Sequence, residues 1–276
     1  MANKKAFEFI RLAERPPKPR EVGLTEARGP YHAVVGLSHL KDLLSVAGEY
    51  IDILKFAGGS QRLIDYDIVK DMVKECHDHD VMVSTGGFLE RAFSQGFEAV
   101  EQFVEEAKAL EFDVIEVSSG IAILPLLDKI EISKMVKNSG LKAKPEVAMA
   151  YGIIPEAAVE ISAEKLISEA KALLREGAWK VMVESEGITE SVKEWKTDVV
   201  HKIATSIDLK DIMFEAADAH VFEWYIKNYG SYVNLFVDHS QILRLEALRT
   251  GLWGEEATWG RVVSFRQSLN HGKETN

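Results

Sequence analysis

A single-domain (β/α)8 barrel is the fold this chain of 276 residues predicts, on three observations. Short apolar bursts alternate with longer amphipathic runs almost to the end of the sequence. Eight bursts occur, each followed by a helical or helix-like segment, which is the count a barrel needs. Neither a GxGxxG nor a Walker loop follows an early strand, as an open doubly wound sheet would want. The barrel is expected over residues 21–260, with 1–20 as an N-terminal extension and 261–276 as a tail.

Taken in order, the first strand is EVGLTEA (21–27), and the amphipathic run LSHLKDLLSVAGEY leads from it to YIDILKF (50–56). LIDYDIVKDMVKECHDH then precedes VMVST (81–85), and the long run LERAFSQGFEAVEQFVEEAKALE follows as one helical stretch. Its spacing is clear where Phe103, Ala107 and Leu110 share a face at i, i+4 and i+7. FDVIEVS (112–118) is the fourth strand; the unit after it, 119–139, is less regular and has Pro125 early in its helix. LKAKPEV (141–147), WKVMVES (179–185), DIMFEA (211–216) and YVNLFV (232–237) complete the set, separated by further helical runs. Gly140, Gly177 and Gly230 stand where helices stop, and Ser162, Thr189, Asp218 and Ser240 where N-caps belong.

The bulk numbers exclude several classes. At 46% hydrophobic and 28% charged, the composition suits a globular domain with a deep core. Net charge is -11, so no nucleic-acid or anionic-membrane surface is expected, and an anionic ligand must be attracted locally. The single cysteine, Cys76, sits in a helical pattern and reads as packing, which fits a reducing compartment. No apolar run approaches a membrane span, and the N-terminus lacks the apolar stretch of a signal peptide, so a cytoplasmic location is expected. Self-association into a homo-oligomer stays open.

Chemistry in a barrel collects at the C-terminal strand ends. That ring reads Glu26 and Arg28, Lys55, Thr85-Gly86-Gly87, Glu116 and Ser118, Lys144 and Glu146, Glu184, Glu215, and Asn234 with Asp238 and His239. Five of eight strands thus end in a glutamate. Carboxylates converging in one mouth repel each other unless a cation joins them, and Mg2+ is the natural one for hard oxygen donors. In IDILKFAGGS, Lys55 would stand beside those carboxylates, and Gly58 and Gly59 would bring backbone N–H groups close to an anion; Gly86 and Gly87 could do the same. His239 could act as acid, base or anion contact. His77 and His79, two apart, point to different sides of a helix and read as surface residues. The Phe222, Trp224 and Tyr225 group reads as helix packing or a partner face, and no GxSxG elbow is present.

At these residues the chain resembles the phosphosulfolactate synthase family, (β/α)8 enzymes that add sulfite to phosphoenolpyruvate with Mg2+ in coenzyme M biosynthesis. The resemblance spans residues 20–254 and rests on YIDILKFAGGSQRLID, STGGFLE, FDVIEVSSG, MFEA and VNLFVDHSQILRLEALRTGLWG. RPPKPREVGLTEARGPY, GLKAKPE and MFEAADAHVFEWYIKNYG are more similar to the plant heat-stress-associated branch. The resemblance implies Lys55, Glu116 and Glu146 as catalytic residues and Glu184 and Glu215 as Mg2+ ligands. A small anionic substrate would then meet Arg28, Lys144, His239 and the glycines 58, 59, 86 and 87. Three departures stand against it. Ala148 and Met149 replace the lysine of an EVGKK-like run, Glu186 stands where the archaeal enzymes have an arginine, and Ser119 replaces the aspartate of SDG. The alternative is a non-catalytic, stress-related binding protein on an altered barrel.

Overall fold

The computed structural model describes residues 5–120, 124–148 and 162–253. Met149, the predicted barrel boundary at 260 and the tail 261–276 lie outside them. Eight parallel strands close into a barrel in sequence order: β1 (Thr25–Arg28), β2 (Ile53–Lys55), β3 (Met82–Ser84), β4 (Val114–Val117), β5 (Lys142–Val147), β6 (Val181–Val183), β7 (Ile212–Glu215) and β8 (Leu235–Asp238). Between and after them run α1 (Leu37–Ala47), α2 (Tyr66–His77), α3 (Leu89–Phe93), α4 (Phe97–Ala109), α5 (Leu126–Asn138), α6 (Ala163–Arg175), α7 (Thr197–Ser206), α8 (Ala219–Tyr229) and α9 (Ile242–Arg249). β1 pairs with both β2 and β8, so no sheet edge remains.

Period-2 alternation divides strand residues between two cores. Ala27, Leu54, Val83, Ile115, Val183, Phe214 and Val237 join the large apolar layer packed under the helices. Their neighbours Leu24, Ile53, Met182, Met213 and Phe236 form a second, smaller cluster, the apolar lower layer of the lumen. Two residues further along the same faces the chemistry changes, from Leu24 to Glu26, Ile53 to Lys55, Met182 to Glu184 and Met213 to Glu215. Because successive side chains alternate across a strand, this two-residue step stacks a charged layer directly on an apolar one.

The eight strands lie where predicted but are shorter at most ends. Gly140, Gly177 and Gly230 take positive φ at their helix ends, and the Ser162 side chain accepts a hydrogen bond from the Lys165 N–H. Other expectations are corrected. The long run 89–111 is two helices, interrupted at Gly96 with φ 109°. Thr189 caps nothing, since α7 begins only at Thr197; Ser240 lies inside a short 3-10 turn capped by Asp238. Asn234 is not at the mouth. It precedes β8, accepts from Leu24 N–H and donates to the Leu209 and Ile212 carbonyls, knitting the opposite end. His77 is no bare surface histidine, because its Nε2 lies 2.9 Å from an Asp113 oxygen.

Residues 15–20 of the N-terminal stretch are strapped across the barrel floor. Arg20 pairs with Asp52 at 3.0 Å, and Lys18 donates to the Gly48, His79 and Asp80 carbonyls. Arg15 bonds Glu246 and the Gly23 carbonyl. Among the described residues, no helix is long and apolar enough to cross a membrane. Cys76 is buried in α2, and burial with Glu75 and Asp113 nearby pushes its thiol up to about 12, so it packs and does not react.

Candidate active site

The charged layer contains two linked groups. In the lower one, the Lys144 ammonium, fully buried, contacts a Glu26 oxygen and lies 3.1 Å from Glu116, while Lys55 lies 2.9 Å from the same Glu116 oxygen. Register explains the meeting: β4 and β5 set Glu116 beside Lys144, and the closed sheet brings β1 and β2 round to the same level. Burial opposes the charge on Lys55, yet Glu116, Glu26 and Glu215 overcome it and raise its pKa. Burial likewise opposes the Glu116 carboxylate, but Lys55 and Lys144 hold it below the usual range. Removing one partner of such a buried pair costs roughly 3–5 kcal/mol, because the other charge stays desolvated. The Lys55 ammonium also sits 4.0 Å above the Phe236 ring, whose face attracts it.

The upper group is acidic. Glu146, at the end of β5, is buried, and burial with Glu116 close by pushes its carboxyl up to about 8, with Lys55 and Lys129 only partly opposing. Glu184 is raised well above the ordinary carboxyl value by burial, by the charges of Glu215 and Glu146, and by a hydrogen bond with Glu215. Arg28 donates to Glu215 at 3.2 Å and lies over Phe236 at 5.1 Å. Lys55, Glu116, Glu146, Glu184 and Glu215 therefore meet in one cluster although they span residues 55–215. Among the described residues, no group of three or more His, Cys, Asp or Glu side chains has the arrangement of a metal cage.

The remaining predicted residues fall as follows. Lys144 lies inside the barrel, locked between Glu26 and Glu116, instead of reaching out at the mouth. Gly58 and Gly59 have φ of 59° and 72°, and aromatic rings occupy the space their side chains would fill: Tyr31 at Gly58 and Phe88 at Gly59. Gly86 lies against the Phe56 carbonyl and Gly87 against the Ser118 hydroxyl. His239 donates from Nδ1 to the Arg28 carbonyl at 3.1 Å. Glu186 is exposed, and Ala148 is buried at the end of β5. Ser119 is buried, in the loop that Glu90 ties down by accepting from Ser118 Oγ at 2.6 Å and Gly120 N–H at 2.8 Å.

Sequence reasoning missed Lys129. It projects from α5, is buried, and donates to the Glu146 carbonyl oxygen at 2.8 Å, placing an ammonium under the end of β5. A lysine on a helix carries no signal of this kind, although its position on the inner face of an otherwise amphipathic run is a clue. Phe236 was also overlooked, and period-2 counting from Asp238 would have placed it inward.

Comparison with known proteins adds the family. The profile of (2R)-phospho-3-sulfolactate synthase (ComA) matches residues 13–255. Protein HEAT-STRESS-ASSOCIATED 32 of Arabidopsis thaliana is 36% identical over 258 residues, covering 87% of this chain and 90% of that protein. A phosphosulfolactate synthase of Methanocaldococcus jannaschii is 29% identical over 231 residues, covering 81% and 89%. Among solved structures, 3-hexulose-6-phosphate synthase from Salmonella typhimurium superposes with a TM-score of 0.55 at 9% identity, over 82% of this chain and 97% of that one, a likeness of fold alone.

Proposed function

The chain belongs to the (2R)-phospho-3-sulfolactate synthase family, and on that premise we propose that it is a lyase-type enzyme joining sulfite to phosphoenolpyruvate or a related small anion. The observation that carries this reading is the convergence of Lys55, Glu116 and Glu146, all buried, with the half-buried Glu184 and Glu215 in one cluster at the strand ends. Sulfite would attack the methylene carbon of phosphoenolpyruvate through its sulfur lone pair, forming the C–S bond. The displaced π pair moves to the carbon bearing the phosphate, which then takes a proton. Lys55 and Arg28 would attract the negative charge that builds up on the substrate. The Glu146 carboxyl, protonated near neutral pH, would donate the proton and recover it from solvent.

Mg2+ fits the upper group. Glu184 and Glu215 are hard oxygen donors that share a hydrogen bond under mutual repulsion, and a divalent ion in its place would relieve both. Mg2+ commonly takes only one or two carboxylates and keeps water for the rest. Bound there, the ion would neutralise charge on the substrate as a Lewis acid.

Incubation with phosphoenolpyruvate, sulfite and Mg2+, read by mass spectrometry, tests the reaction. Product is expected from the parent protein, with Glu146→Gln slower by about 10²–10⁴-fold. Absence of product from the parent protein ends the catalytic proposal. A second reading, a stress-related binding protein on an altered barrel, draws on the higher identity to the Arabidopsis protein. It expects no heat on Mg2+ titration.

A further inference from the structure

Beside the carboxyl cluster, above the ends of β1, β6, β7 and β8, lies a cleft of about 690 Å3. That is far more room than sulfite needs and falls in the range of pockets for larger organic ligands. Arg28 belongs to both places: its guanidinium bonds Glu215 in the cluster at 3.2 Å and lines the cleft. Its other edge lies 3.3 Å from His32 Nδ1, which accepts there from the guanidinium. The rest of the lining is mostly acidic and hydroxylic, with Ala217, Ala219 and Gln241 among it. Glu190, Asp218 and Asp238 are its acidic residues, and Thr189, Ser191 and Ser240 its hydroxylic ones.

The loop after β6 is shaped before any ligand arrives. The Thr189 and Glu190 N–H groups both donate to the Ser185 carbonyl, at 2.9 and 3.1 Å, and Gly187 N–H donates to the Glu190 carbonyl. Ser191 is held at φ 57°, a left-handed conformation costly for a residue with a side chain. Thr189 is nine-tenths buried in the cleft wall, and its hydroxyl has no hydrogen-bond partner among the described residues. Asp238 accepts from the Ser240 N–H and hydroxyl through one oxygen, Oδ1.

A compact polyanion would meet three carboxyls here and a single guanidinium. A chain of hydroxyl groups would find acceptors along the wall and, at one end, a cation for a carboxylate. We propose that this cleft binds a polyhydroxylated carboxylate, its acid group on Arg28 and its hydroxyls on Asp218 and Glu190. The assignment rests on reading the barrel mouth as a ligand site, and it names the class of molecule that enters beside it.

Calorimetric titration at pH 7 with D-gluconate and with hexanoate, which has the same carboxylate and chain length but no hydroxyls, tests it. Gluconate is expected to bind at least tenfold more tightly. Asp218→Asn and Glu190→Gln should each remove much of that preference while leaving hexanoate unchanged, and Arg28→Met should weaken both. Thermal melts of each variant verify folding. Equal affinity for the two acids, or no gluconate binding by the parent protein, overturns the assignment. Gluconate binding without turnover of phosphoenolpyruvate and sulfite would sink only the reaction. Turnover without gluconate preference would sink only the cleft assignment.

Discussion

Glu146 and Glu116 are both buried glutamates, on the neighbouring strands β5 and β4. Glu116 has Lys55 and Lys144 against it and stays ionised, whereas Glu146 has mainly burial and a neighbouring carboxylate, and keeps its proton to about pH 8. The same residue type thus serves as a fixed anion or an acid according to which ammonium groups reach it. The consequence for stability follows from linkage. The unfolded chain releases the Glu146 proton near its ordinary value of 4.5, while the folded chain holds it to about 8. The contribution is fully present below 4.5 and is lost as pH rises to about 8. Glu184, raised in the same direction, adds to the slope. In metal-free protein with chelator present, urea midpoints should fall across that window, and Glu146→Gln should flatten the decline.

Elements place these residues by close backbone contact as much as by pairing. β2 and β3 end in glycine turns, and Gly86 shows why. Its φ is 58°, and a Cβ there would run into the Phe56 carbonyl oxygen, a backbone atom with no freedom to yield. Gly86→Ala should therefore destabilise by roughly 1–3 kcal/mol, seen as a lower denaturation midpoint. At Gly36, where φ is -88° and a Cβ would meet nothing within 4 Å, the same substitution should be nearly silent. The glycine pairs read from sequence as anion cradles thus have a packing duty at this level. The aromatic rings that fill Gly58 and Gly59 were not legible, because Tyr31 and Phe88 come from other strand ends.

At the scale of the molecule, the barrel separates a charged mouth from a strapped floor, with apolar side chains between them in the lumen. Arg20 and Asp52 are each only 4% exposed at the side chain, and Asp52 also accepts from the Thr25 N–H. Truncation after residue 20 would leave Asp52 buried without its cation and lower the melting temperature by roughly 10 °C. Truncation before Ala13, where the described residues 5–12 are all exposed, should leave the melt within a few degrees. Comparison of the two melting curves checks both halves of this expectation.

Strand number, strand order and the band of charge were written in the sequence, because a period of two and a polar residue at each strand end are local features that survive without neighbours. Lys55, Glu116, Glu146, Glu184 and Glu215 could be picked by that rule. What only the tertiary structure decided is which charge meets which. Lys144 turned inward to Glu26 and Glu116, Lys129 arrived from a helix beneath Glu146, and Arg28 crossed from β1 to Glu215 on β7. Those pairings depend on barrel closure and register, which bring together positions from 17 to 187 residues apart, and the pKa values depend on burial that no short stretch of chain can supply.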